Sequence, residues 1–132
     1  MLEAISQEGA RRTVDLANKY RAASLEWDER NRREPCEPLD LQTMTSDWLQ
    51  GSLDLDERWA LFGFLSHFNR AQLTEVKALM WVGGGEKIES EEDWWACKKY
   101  AAPHDGDGSI EYMMGKRNLG DLISKGLEVL GY

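Results

Sequence analysis

Cysteine is scarce in this chain: Cys36 and Cys97 are the only two among 132 residues. They stand far apart and in no CxxC pattern, which excludes a disulfide framework. Cys97 and His104 match no common zinc spacing, so two free thiols are expected. Proline is equally rare, and with only three prolines and an ordinary glycine content wholesale disorder is excluded. No apolar run approaches the roughly 18 residues of a membrane span. The opening stretch MLEAISQEGARR lacks the apolar region of a signal peptide. A soluble, cytoplasmic protein without membrane contact is therefore expected. No stretch alternates apolar and polar residues with period two, so no sheet is expected. Catalytic signatures are also missing. His67 lies in the apolar run LSHF, and no serine or cysteine stands in a recognisable nucleophile setting. The expectation is a protein that is not an enzyme and carries no cofactor.

What is present is enough for one domain with a real core. The hydrophobic fraction is 42% and there are six tryptophans. The formal net charge is −8, and it is uneven. Residues 1–34 hold seven acids and seven bases, residues 35–70 six and two, and residues 71–132 eleven and seven. Such a surface repels phosphate backbones, which argues against direct nucleic-acid binding and favours a basic protein partner.

The chain reads as helix throughout. Leu2, Ile5, Gly9, Thr13, Leu16, Tyr20, Ala23 and Trp27 recur in steps of three and four, the seam of an amphipathic helix. Arg11, Arg12, Asp15, Lys19 and Glu26 fall on its far side. The seam packs on the chain's own core or pairs with a second copy as a homodimer. A charged connector with two prolines follows, then a short helix over residues 39–51. Residues 54–68 begin with acids suited to a helix N-terminus and carry apolar residues on nearly every face. That pattern predicts a central helix, with Gly63 allowing a close neighbour. Asn69 and Gln72 spell a capping box for the next helix. Ser90, followed by Glu91, Glu92 and Asp93, starts another, which carries Trp94, Trp95, Cys97 and Tyr100. A short helix near residues 110–114 precedes a last one opened by Asn118, with Leu119, Leu122, Ile123, Leu127 and Leu130 as its stripe. The fold expectation is all-α: a single compact bundle of about six helices with a long N-terminal helix. One domain spans 1–132, divided into the helix at 1–34, a connector and short helix at 35–52, and a helical core at 53–132.

The most distinctive segment is LTEVKALMWVGGG, residues 73–85, an apolar helix halted by Gly83, Gly84 and Gly85. Glycine ends a helix with positive φ at no steric cost and lets a backbone or a ligand approach. The triplet follows a helix rather than preceding one, so the dipole there disfavours anions. Around it run an acidic helix start, Ala78-Leu79-Met80-Trp81-Val82-Gly83-Gly84-Gly85, the pair Trp94-Trp95, Tyr112-Met113-Met114, and the run from Leu119 to Leu127 that opens Leu-Gly-Asp and closes Gly-Leu. In this order the motifs resemble a family of small bacterial proteins, domain-of-unknown-function family 3775, over residues 53–132. The resemblance implies a bacterial or phage origin and no activity. The family pattern has arginine between the two glycines, where this chain has Gly84; an anion clamp built on that arginine would be lost here.

Two further motifs invite chemistry. Asp105, Asp107, Gly108, Ile110 and Glu111 fit positions 3, 5, 6, 8 and 9 of a calcium loop. Position 1 then falls on Pro103 and position 12 on Met114, so the closing carboxylate is missing; Asp105, Asp107 and Glu111 are weak metal candidates, and no metal site is expected. Trp94 and Trp95 point about 100° apart on a helix, which puts one in the core and leaves the other as a surface anchor. The functional expectation is a small acidic protein that binds another protein with a basic surface. Its contact residues are Gly84, Glu89, Glu91, Glu92, Asp93, Trp94 and Trp95. A phage-type inhibitor of a nucleic-acid-binding bacterial defence complex is the sharper form of that expectation. A metal- or ligand-binding domain and a structural homodimer are the alternatives.

Overall fold

A computed structural model describes residues 2–30, 55–101 and 108–132. Among these residues there are six α-helices and no strand. They are α1 (Gln7–Arg30), α2 (Asp56–Ser66), α3 (Arg70–Gly83), α4 (Glu91–Ala101), α5 (Gly108–Met114) and α6 (Leu119–Val129). The all-α bundle with a long N-terminal helix is as expected. The connector and the helix expected over residues 39–51 lie outside the described residues. None of the described helices is long and apolar enough to cross a membrane.

The first helix starts later than its seam suggests. Residues 2–6 are not helical, and Ser6 caps α1: its Oγ accepts from the Gly9 amide at 2.9 Å, and its carbonyl from the Ala10 amide at 3.0 Å. Downstream the seam turns inward as read. Ala10, Thr13, Leu16 and Ala17 are buried, and α1 packs on α2 and α6 of the same chain. Thr13 is tolerated in the core because its hydroxyl donates to the Gly9 carbonyl at 2.9 Å.

The expectation that α2 is a central helix needs correcting. Only Leu61 and Leu65 are buried, and Trp59 is 53% exposed. Aromatic residues of α2 and the turn after it pair edge to face instead, Trp59 with Phe62 at 5.9 Å and Phe64 with Phe68 at 5.0 Å. Gly63 admits no close neighbour either; a Cβ there would meet nothing within 4 Å.

The centre is α3 against α6. Asn69 caps α3 through the expected box: its Oδ1 accepts from the Gln72 amide at 2.9 Å, and Gln72 Oε1 accepts from the Asn69 amide at 2.9 Å. From α3 the core receives Val76, Ala78, Leu79, Met80 and Val82; from α6 it receives Leu119, Ile123 and Leu127. Glycine sets the closeness of this pair. A Cβ at Gly83 would overlap the Leu122 carbonyl and stand 2.6 Å from its carbon. A Cβ at Gly126 would do the same to Leu79, 2.9 Å from its carbonyl carbon. Each helix thus presents a glycine to the other's backbone. Gly120 performs this role toward α1, where a Cβ would lie 2.8 Å from Asn18 Cγ. Asn118 stands at the N-cap of α6, yet its side chain makes no capping bond.

Candidate functional site

Each glycine of the triplet has its own structural reason. Gly83 is the last residue of α3 and faces α6. Gly85 takes φ +120° and completes a Schellman-type stop. Its amide donates to the Val82 carbonyl at 3.1 Å, and the Glu86 amide to the Trp81 carbonyl at 3.2 Å. Gly84 is exposed with φ −81°, a conformation open to any residue.

The loop then turns into α4. Ser90 Oγ accepts from the Asp93 amide at 3.3 Å, and Asp93 Oδ2 accepts from the Glu89 amide at 2.9 Å, so the expected helix start is present. The two tryptophans separate as expected: Trp94 is fully buried and Trp95 is 57% exposed. Trp94, counted above among the contact residues, is therefore a core residue. Glu89, Glu91 and Glu92 are exposed and Asp93 is half-buried. Glu91, Glu92 and Trp95 share one shallow concavity on the outer face of α4.

The opposite face of α4 lines a different feature. Asp93, Ala96, Cys97 and Tyr100, at helical spacing, form one wall of a groove of about 1040 Å³. Trp81 of α3, Ile88 of the loop, and Tyr112 and Lys116 of the α5 region lie across it. Lys77 Nζ stands 5.3 Å from the ring centres of both Trp81 and Tyr112, and Lys116 Nζ 5.1 Å from that of Tyr112. Cys97 sits at the base of the groove, its thiol directed at the Ala78 carbonyl at 3.9 Å. Burial, assisted by the charge of Glu86, pushes the thiol pKa above its ordinary 9.0, so Cys97 is not an activated nucleophile.

One buried polar centre escapes a reading of the sequence. Glu75 lies on the inner face of α3 and is 1% exposed. Its carboxylate accepts from the Glu3 amide at 2.9 Å, the Ala4 amide at 2.7 Å and the Ile5 amide at 2.8 Å. Lys98 of α4 completes the set at 3.2 Å. Burial pushes the carboxyl pKa up, but the Ile5, Glu3 and Ala4 amides and Lys98 outweigh it and hold it below the ordinary 4.5. The only signal in the sequence is an acid one turn before Leu79 on an apolar stripe. Its backbone partners lie some seventy residues away.

The weak metal candidates are not brought together in what is described. Glu111 is exposed on α5, while Asp105 and Asp107 lie outside the described residues. Among the described residues no three His, Cys, Asp or Glu side chains cluster as metal ligands. His67 is exposed at the end of α2, its Nδ1 at 2.6 Å from the Gly63 carbonyl. No curated protein and no solved structure matches the chain. The glycines that bring α3 and α6 together, the Schellman stop and the α4 tryptophans all fall within residues 58–132, which match the family model described as Protein of unknown function (DUF3775). The chain belongs to that family.

Proposed function

We propose that this protein acts by binding another protein, through the outer face of α4, and carries out no chemistry of its own. The observation behind this reading is Trp95, a large aromatic left 57% exposed beside the exposed carboxylates of Glu91 and Glu92. Tryptophan is among the residues most often found at binding hot spots, because it buries much area at little entropic cost. Acids around it select a basic partner and speed the encounter. Glu89 is exposed on the preceding loop, whereas Gly84 and Asp93 line the groove on the other side of α4. In its sharper form, the partner is a nucleic-acid-binding bacterial defence complex, with the acids occupying a groove built for phosphates.

The test is a pull-down from nuclease-treated bacterial lysate at low and high salt, followed by titration of the purified partner. A stoichiometric partner should be lost at high salt. Trp95→Ala should weaken its binding at least about tenfold, and Glu91→Lys with Glu92→Lys should abolish it. A partner that binds all these variants equally well would remove this face from the proposal.

A further inference from the structure

Lys98 touches both the buried Glu75 centre and the exposed Trp95. Its Nζ lies 3.2 Å from Glu75 Oε2 and 3.7 Å from Glu3 Oε2. The same ammonium group stands 5.3 Å from the ring centre of Trp95 and 5.7 Å from that of Trp94. Trp95 precedes Lys98 by three residues on α4, so the two share one side of the helix, the side that also carries Glu91 and Glu92. A lysine stem rotates freely about four carbons and by itself would hold nothing still. Here the head of the side chain is fixed. The Glu75 carboxylate that binds it is immobilised in turn by the amides of Glu3, Ala4 and Ile5, and the Lys98 side chain is only 16% exposed.

A line of contacts therefore runs from residues 3–5 through Glu75 and Lys98 to the indole of Trp95. An exposed tryptophan loses rotamer freedom when a partner covers it, and that loss opposes binding. A cation seated over the ring restricts it beforehand. We infer that Lys98 is a positioning residue for the protein-binding face: it holds the Trp95 indole in its docking orientation, and Glu75 and Glu3 hold Lys98. The role assigned to Lys98 rests on the reading of Trp95 as a contact residue. Positioning and simple charge predict opposite signs for the loss of this lysine. Removing a cation from an acidic face strengthens its attraction for a basic partner, whereas releasing the indole weakens binding.

The test is an NMR order-parameter measurement on the indole N–H of Trp95 in the full chain, with the signal assigned from Trp95→Phe. In the parent it should match the α4 backbone, at about 0.85, and in Lys98→Met it should fall toward about 0.6 while that backbone stays rigid. Methionine keeps an unbranched apolar stem and removes the charge. A second reading needs no stable variant of Lys98: in the parent, ring currents should shift the Lys98 ε-methylene protons upfield. Against the partner recovered in the pull-down, Lys98→Met should weaken binding at least about threefold. An indole equally ordered with and without the Lys98 charge would overturn the inference and leave Trp95 standing as a contact residue. So would ε-methylene protons at their free-lysine position, or a Lys98→Met chain that binds as tightly as the parent or more tightly. A partner indifferent to Trp95→Ala would overturn the protein-binding reading and the docking role with it. That failure is told apart by an indole that still loses order in Lys98→Met.

Discussion

At the scale of single residues, glycine has opposite meanings at different positions in this chain. Gly63 is a helical glycine with open space where its Cβ would be. Gly63→Ala should stabilise the protein by about 0.5–1 kcal/mol, since alanine loses less backbone entropy in a helix. Gly126→Ala should cost at least about 2 kcal/mol, because the Leu79 carbonyl is backbone and cannot move aside as a side chain can. Urea unfolding of the two variants should give midpoints on either side of the parent's. Sequence alone marks both as helix glycines; which one touches a neighbour depends on a residue 47 positions away in one case and on nothing in the other. Glu75 follows similar logic. Its carboxyl is held below 4.5 when folded, so its contribution is fully present above pH 4.5 and is lost as pH falls through the lower folded value. Glu75→Gln should lower stability at pH 7 by about 3 kcal/mol, because three amides and Lys98 lose their charged acceptor. The loss should shrink as pH falls below 4.5, because the unfolded chain's carboxyl takes up its proton before the folded one does. Urea midpoints of parent and variant that stay equally far apart from pH 7 to pH 3 would contradict this assignment.

At the scale of elements, what was legible in the sequence is what is encoded locally. The Asn69 and Gln72 box, the Ser90 start, the Schellman stop and the split of Trp94 from Trp95 each depend on residues within a turn of one another, and all are present. The misreadings involve partners at a distance. The many apolar residues of α2 imply a central helix, but counting them does not reveal how many neighbours exist to cover them, and only Leu61 and Leu65 are covered. The seam at Leu2 and Ile5 implies helix, but the amides of Glu3, Ala4 and Ile5 have a better acceptor in Glu75 than any helical carbonyl could provide. The groove of Trp81, Tyr100 and Tyr112 is assembled from three helices and has no single sequence signature. Caps supply a direct check on this distinction. Asn69→Ala should cost about 1 kcal/mol of stability. Asn118→Ala, at a position that reads equally well as a cap but makes no side-chain bond, should cost close to nothing. Equal effects in thermal melts would mean that Asn118 caps α6 in solution.

At the scale of the whole molecule, the bundle is drawn together by contacts far apart in sequence. The segment at residues 3–5 is fastened to α3 and, through Lys98, to α4; the Leu2 amide donates to Tyr132 Oη at 3.0 Å. Amides in irregular backbone outside helices, such as these, ordinarily exchange fast with solvent. Those of Glu3, Ala4 and Ile5 should instead exchange as slowly as amides of the α3 core, and Glu75→Gln should return them to the fast regime in a hydrogen-exchange experiment.

The placement of Cys97 has a practical consequence. A thiol that is 7% exposed, wedged against the Ala78 carbonyl and disfavoured as a thiolate, should react with an alkylating reagent only when α4 lifts from α3. With Cys36 replaced by serine, the labelling rate of Cys97 becomes a clock for that opening. The clock sits at the floor of the inner groove, so anything lodged there should slow it, and anything seated on the outer face of α4 should leave that rate much less changed.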